Sequence, residues 1–248
     1  MTKKLILVTN DDGIHASGLK RLAEVAGELG RVFVVAPDRE RSAASHSLTL
    51  HRPLRVTKTA RDEYTVDGTP TDCVTLAVNS ILPRTPDIVL SGINMGTNLG
   101  EDVLYSGTVS AAMEGTMLGI PSVALSMSAP FETVLEYAGL FAARVASQVL
   151  AEGLPPDTLL NINVPGVKKI KGHRITNLGK RFYNDVVIEK IDPRGKKYYW
   201  IGGDIDRWEG GEDSDFRAFK AGYVSVTPLH FDMTNYDSMR ELKGWEFD

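Results

Sequence analysis

Leu5-Ile6-Leu7-Val8-Thr9 is an unbroken apolar run that stops abruptly at Asn10-Asp11-Asp12-Gly13. A run this short, closed by a turn signal, reads as a strand buried on both faces. Residues 18–29 follow with Leu19, Leu22, Ala23 and Ala26 on one helical face, and Gly30 supplies the left-handed residue that ends such a helix. Residues 31–36 are a second buried strand, closed by Pro37. Two buried strands joined through a helix form a βαβ unit, with parallel strands and a right-handed crossover. A chain that opens this way is committed to a helix-covered, mostly parallel α/β sheet. Ligands of such sheets bind outside the carboxyl ends of the strands, which is where Asp11 and Asp12 fall.

The remaining pattern extends the sheet. Residues 54–58 and 63–66 alternate as short antiparallel excursions, and Asp67-Gly68-Thr69-Pro70 is a turn into a helix over 71–82. A buried strand at 87–91 leads into a Gly/Asn-rich loop and a helix of small residues over 108–118. Then come a strand at 122–126, a long helix over 131–151, and strands at 159–164 and 173–177. Beyond Gly179 the character changes. The aromatic, β-branched runs 182–189 and 197–201 flank Asp192-Pro193-Arg194-Gly195 and read as a β-hairpin. A long hairpin is marginal alone and needs a partner surface, either on its own subunit or by exchange with a neighbour. A late strand is expected over 222–227, before Pro228, and then a polar tail. The whole of 1–248 is expected to be one domain, with a core over 1–130 and a carboxyl-terminal part over 131–248 that carries the hairpin at about 182–203.

Composition removes several function classes. A net charge of −4 provides no basic footprint for a nucleic-acid duplex. Basic residues gather in 168–180 and at Arg194, Lys196 and Lys197, which read as solvated loops; Arg39 and Arg41, close to Ser42, suit a small anion. Cys73 is the sole cysteine, so no intrachain disulfide or cysteine metal cluster is possible, and its apolar neighbours predict a buried thiol. The amino-terminal apolar run is too short, and its end too acidic, for a secretion signal. No window is expected to supply the roughly 20 apolar residues of a membrane span. The expectation is a cytoplasmic protein without a membrane partner.

Four segments that carry chemistry are expected on one sheet edge. They are Asn10 to His15, the stretch from Pro37 to Ser45, the stretch from Gly92 to Gly100, and Tyr105 to Ala112. Adjacent carboxylates repel unless a cation lies between them, so Asp11 and Asp12 predict a divalent metal. One Asp would suffice as a helix cap; two exceed that need. Ser42 and Asn94 offer neutral oxygens that complete a metal shell without over-charging it, a mixture suited to phosphate chemistry. Ser106-Gly107-Thr108 opens a helix and can present hydroxyls and amides to an anion. His15 is a possible proton donor, although a lone His after a turn is more often structural. No Gly-x-Gly-x-x-Gly follows the first strand, and no Gly-x-x-x-x-Gly-Lys-Ser/Thr occurs, which sets aside dinucleotide binding and P-loop chemistry. Nor do Asp11 and Asp12 have the Asp-x-Asp spacing of phosphatases that form an aspartyl-phosphate.

In their order, these motifs resemble the SurE (survival protein E) family: Asn10-Asp11-Asp12-Gly13-Ile14-His15-Ala16, Val35-Ala36-Pro37-Asp38-Arg39-Glu40-Arg41-Ser42, Ser91-Gly92-Ile93-Asn94-Met95-Gly96-Thr97-Asn98 and Tyr105-Ser106-Gly107-Thr108-Val109-Ser110-Ala111-Ala112. The likeness runs over nearly the whole chain, through Ser225-Val226-Thr227-Pro228-Leu229, and departs at Ser17, where many members have Pro. It implies a Rossmann-like three-layer α/β sandwich with a mostly parallel sheet and a carboxyl-terminal hairpin extension used in oligomerisation. It implies a phosphomonoesterase acting on nucleoside 5′- and 3′-monophosphates, and in some members on short polyphosphate. One divalent ion per subunit (Mg²⁺, Mn²⁺ or Co²⁺) would be held by Asp11, Asp12, Ser42 and Asn94. Asn98, Ser106, Gly107 and Thr108 would line the phosphate pocket, with Asp11, Asp12, Asn98 and Ser106 in the catalytic set. The implied partner is a second copy, in a homodimer or homotetramer formed by carboxyl-terminal exchange. Two rival readings are a phosphatase using Asp11 as a covalent nucleophile and a nucleotide-binding sensor without hydrolytic activity.

Overall fold

The computed structural model describes residues 3–128, 132–182, 187–201 and 207–246. Its first half runs β1 (Leu5–Thr9), α1 (Ser17–Gly27), β2 (Arg31–Pro37), β3 (Val56–Ala60), β4 (Glu63–Val66), α2 (Pro70–Leu76), β5 (Ile88–Met95), α3 (Gly107–Met117) and β6 (Ser122–Met127). It continues with α4 (Glu132–Glu152), β7 (Thr158–Val164), β8 (His173–Ile175), β9 (Lys180–Phe182), β10 (Val187–Ile191), β11 (Lys197–Ile201), β12 (Arg207–Glu209), α5 (Asp215–Lys220), β13 (Val224–His230) and α6 (Tyr236–Leu242).

The main sheet has the order β3-β4-β2-β1-β5-β6-β7-β13-β8. Strands from β4 to β7 are mutually parallel, whereas β3 and β13 run antiparallel to β4 and β7. The chain steps from β1 outward to β2, then returns to the other side of β1 for β5. That reversal opens a crevice at the carboxyl ends of β1 and β5, the position where α/β sheets bind ligands.

Helices cover both faces. On one, α1 and α4 pack on each other and on the sheet, burying Leu19, Leu22, Val25, Phe141, Ala142 and Val149 with Ile6, Val8 and Leu90. On the other, α2 and α3 bury Val74, Ala77 and Ala111 against Leu7, Val35 and Val89. The mostly parallel three-layer sandwich is therefore as expected. One crossover differs in hand. The links β5-α3-β6 and β6-α4-β7 step the same way across the sheet but put their helices on opposite faces, so β6-α4-β7 has the rarer, left-handed sense.

Several boundaries move for physical reasons. The strand expected at 87–91 continues to Met95, absorbing Gly92, Ile93 and Asn94 of the expected loop. Gly92 permits this: its φ is +136°, and a Cβ there would stand 2.3 Å from the Leu125 carbonyl oxygen. The helix expected over 71–82 is α2 followed by a π-helical turn, Ala77–Ile81. β13 runs on through Pro228, which lies past the last pairing with β8 at Val226, where the strand is an edge and tolerates Pro. In place of a polar tail the chain forms α6, capped by Asn235. The hairpin is present as the antiparallel pair β10–β11, with Asp192 accepting the Arg194 and Lys196 N–H groups at 2.8 Å. Parts of its expected span, 183–186 and 202–203, fall outside the described residues. The helix expected from 131 begins at Glu132, and residue 131 also lies outside them.

Contrary to expectation, α4 is long and apolar enough to cross a bilayer by length and composition. Its apolar side, however, is spent on the core, and its outer side carries Glu136, ion-paired to Arg21 of α1 at 2.8 Å.

The carboxyl-terminal part is tied to the core by Asp215. Its buried carboxylate accepts N–H groups from Gly100 (2.7 Å), Gly179 (2.9 Å) and Phe216 (2.8 Å). Asp215→Ala orphans all three donors at once. We expect a loss of about 3 kcal/mol in urea unfolding, since each buried unpaired polar group costs roughly 1–3 kcal/mol. A loss below about 1 kcal/mol contradicts this account.

Candidate active site

The segments that leave β1, β2 and β5 meet the start of α3 around a cavity of about 320 Å³. Asp11, Ser42, Asn94, Asn98 and Ser106 all line it, so five of the expected residues converge. Backbone bonds lock the loops together: Arg41 N–H donates to the Asp11 carbonyl at 2.7 Å, and Ile14 N–H to the Pro37 carbonyl at 3.0 Å. The Asn10 side chain closes its own turn by accepting the Gly13 N–H and donating to the Gly13 carbonyl.

Asp11 is buried at the cavity floor and accepts hydrogen bonds from the Thr108 hydroxyl and amide. Thr108 is thus turned to Asp11 rather than to the cavity, unlike the direct anion contact expected of it. Burial raises the Asp11 proton affinity, and the Thr108 donors only partly offset that. Gly107 permits this docking of α3, because a Cβ there would stand 2.8 Å from the Asp11 Cβ.

Asp12 is half-buried and pushed up to about 6, first by burial and then by the neighbouring Asp11 charge. The Met95 amide donates to its carboxylate, yet Oδ2 is buried with no hydrogen-bond partner. A buried orphan oxygen on a charged group calls for a positive occupant.

The neutral members are oriented to present oxygen. Asn94 spends its amide nitrogen on the Gly96 carbonyl at 2.9 Å, which turns its oxygen the other way. The Ser42 hydroxyl donates to Glu40 Oε1 at 2.6 Å, leaving its lone pairs to accept. Beside it Ala43 takes φ +54°, a conformation costly for a non-glycine residue and held by the surrounding loop.

Asn98 is fixed by a buried network. Its N–H reaches Asn163 Oδ1 at 2.8 Å, its amide nitrogen reaches Ser126 Oγ at 2.7 Å, and its carbonyl accepts from Asn161 and Asn163 at 2.9 and 3.0 Å. Ser106 caps α3 by accepting the Val109 N–H at 3.1 Å, which leaves its own O–H to donate.

The other expectations have mixed outcomes, with Cys73 buried as expected and the arginines turned away from an anion. Arg39 pairs with Asp38, and Arg41 reaches Asp38 and the Asp67 carbonyl; neither lines the cavity. His15 is exposed and also absent from its lining. Cys73 is buried, and burial pushes its thiol up well above the usual range. Ala43, Thr97 and Tyr105 lie within the expected segments but carry no expected role, and Asp102 lies outside them. Tyr105 opens the fourth expected segment, a signal that was available. Asp102, held by Arg181 of β9, was not, because the partner is distant in sequence. Among the described residues, the lining contains two carboxylates and no Lys, Arg or His. Among the described residues no three His, Cys, Asp or Glu side chains converge as a metal cluster.

Comparison with known proteins places this geometry. The model of the family described as "Survival protein SurE" matches residues 6–185. A "5'-nucleotidase SurE" from Geotalea daltonii is 53% identical over 244 residues, covering 97% of this chain and 98% of that protein. One of the same name from Caldanaerobacter subterraneus subsp. tengcongensis is 46% identical over 254 residues, covering 100% of both. The crystal structure of the SurE protein from Aquifex aeolicus superposes with a TM-score of 0.86 at 49% identity, covering 96% of this chain and 98% of that one.

The electrostatics of Asp12 can be read as stability. Its proton affinity in the fold, about 6 against an ordinary 3.8, means that its charge opposes folding above about pH 6 and ceases to do so below the ordinary value. With a chelator present, Asp12→Asn is expected to melt above wild type at pH 7.5, the gap closing as pH falls towards 4. A variant melting below wild type at pH 7.5 contradicts the assignment.

Proposed function

The chain belongs to the survival protein SurE family, and from that premise we propose that it is a divalent-metal-dependent phosphomonoesterase of the cytoplasm. Relatives named 5'-nucleotidase support nucleotide monophosphate hydrolysis; we extend the reading to 3′-monophosphates and short polyphosphate. The observation that carries it is the orphaned Asp12 Oδ2, next in the chain to the buried Asp11 that lines a cavity with no cation among its described lining residues; Asp12 itself is not in that lining. A phosphate dianion would be repelled by such walls unless a positive ion accompanied it.

The residues fit one such ion. Asp11 and Asp12 would contribute anionic oxygens, and Ser42 and Asn94 neutral ones, a hard-oxygen set suited to Mg²⁺, Mn²⁺ or, less well, Co²⁺. When bound, the ion supplies positive charge to a phosphoryl oxygen and to the attacking water. The chain's own part is binding and positioning. Ser106 O–H, the second hydrogen of the Asn98 amide and the Gly107 N–H at the start of α3 are the donors for the remaining phosphoryl oxygens. Because Asn98 is locked by Ser126, Asn161 and Asn163, its donor requires little reorganisation as charge develops. Water then attacks phosphorus and the nucleoside oxygen departs. The covalent alternative is weakened by Asp11 itself, whose carboxylate is already committed to two Thr108 donors.

The assembly belongs to the same proposal. Ile188 and Trp200 of the hairpin, and Tyr236, Met239 and Leu242 of α6, are exposed large apolar side chains. A second copy, in a dimer or tetramer formed by carboxyl-terminal exchange, would cover them.

The test is phosphate release from AMP with added Mn²⁺, expected to vanish on chelation and return with metal. Asp12→Asn should lower kcat/KM by on the order of a hundredfold or more while circular dichroism stays native. Tight AMP binding without phosphate release under any metal would favour the sensor reading; a near-normal rate in the variant would overturn the site assignment.

A further inference from the structure

The cavity is graded from floor to rim. Asp11, Asn98 and Ser106 are 5–7% exposed, whereas Tyr105, which lines the same cavity, is 58% exposed. Among the described residues, Tyr105 is the one aromatic residue in the lining; the others are small or polar. Its backbone is pinned on both sides, the carbonyl accepting the Ser45 N–H at 3.2 Å and the N–H donating to the Asp102 carbonyl at 3.0 Å. The next residue is Ser106, the cap of α3 and a proposed phosphate donor. A phosphoryl group held at Ser106 therefore sends the rest of its ester outward, past a ring whose backbone is fixed to that same anchor.

We infer that Tyr105 is a specificity-determining residue, whose ring stacks on the nucleobase of a nucleoside monophosphate. The inference rests on the proposed hydrolytic reading and deepens it, by assigning the organic half of the substrate to a residue. A flat π-face is the shared chemistry of all bases, so stacking selects nucleotides over other phosphomonoesters with little choice among bases. The cavity, at about 320 Å³, falls at the low end of the roughly 300–1,000 Å³ common for small-molecule sites. It is of a size for the phosphate and sugar, with the base resting against the rim.

The experiment compares AMP with ribose 5-phosphate, which keeps the phosphate and sugar and lacks the base. Wild type should prefer AMP in kcat/KM. Tyr105→Ala should reduce that preference by about tenfold or more, mainly through KM for AMP, and Tyr105→Phe should restore it. An unchanged preference in Tyr105→Ala, or no preference in wild type, overturns the inference while leaving hydrolysis intact. So does an equal loss on both substrates with an altered sedimentation mass, which would put the ring in a subunit contact. If wild type releases phosphate from neither ester, the hydrolytic reading fails. Stacking is then still read by titrating both esters into wild type and Tyr105→Ala, with a tenfold loss of AMP affinity expected and no loss overturning it.

Discussion

Two carboxylates that follow β1 are forced together at a place where the sheet order reverses, and much of the site is built around that juxtaposition. β1 is buried along its length between two parallel neighbours, so the chain direction at its end is fixed. Asp11 is directed to the floor, where α3 meets it end-on. The Thr108 hydroxyl and amide bond its carboxylate, and the positive end of the α3 dipole faces it. This close approach demands Gly107. The Thr108 donors only partly offset the burial of Asp11, and Asp12 beside it keeps a buried unpartnered oxygen, so both hold a proton more tightly than an ordinary carboxyl group.

The remaining walls are stiffened by polar groups in places normally kept apolar. Ser126 on β6 and Asn161 and Asn163 on β7 are fully buried, yet all turn towards Asn98. Buried polar networks carry a penalty unless satisfied, and satisfied ones specify geometry. Here four hydrogen bonds set the position of Asn98, while Asn161 Oδ1 stays buried without a partner among the described residues. Asp215 does the same for the next loop from the far end of the chain, through the Gly100 amide. The carboxyl-terminal part therefore helps to shape the cavity wall, although none of its described residues lines the cavity; Arg181 acts only by holding Asp102, which does.

Much of this was legible because apolar runs of strand length alternate with helical periodicity up to Val164. The parallel sheet, its edge and the convergence of Asp11, Ser42, Asn94, Asn98 and Ser106 follow from that alternation together with the ordered motifs. What was not legible depends on contacts between distant residues. The continuation of β5 through Gly92 rests on how close Leu125 comes, and the hand of the α4 crossover rests on which face α1 leaves open. Asp38 and Asp67 claim the arginines that had looked available to an anion. β9, β12 and α5 are too short to leave a periodic signal, and α6 exposes its apolar side chains instead of burying them.

The absence of a cation from the cavity lining also bears on how affinity is controlled. Had Arg39 and Arg41 faced inward, phosphate esters would bind on the strength of the protein alone, and product phosphate would be held as firmly as substrate. Instead both arginines are turned to Asp38, outside the lining, which presents Asp11 and the Arg181-paired Asp102 to an incoming dianion. Under the proposed chemistry, attraction for the ester would depend on a divalent ion held by Asp11, Asp12, Ser42 and Asn94, which would supply the positive charge the wall lacks. Two carboxylates would balance that ion's charge, and Ser42 and Asn94 would add ligands without adding charge. A third acidic ligand would leave the centre net negative and weaken its pull on phosphate. On this argument, it is the neutrality of Ser42 and Asn94, as much as the charge of the aspartates, that fits the cavity to a phosphate ester.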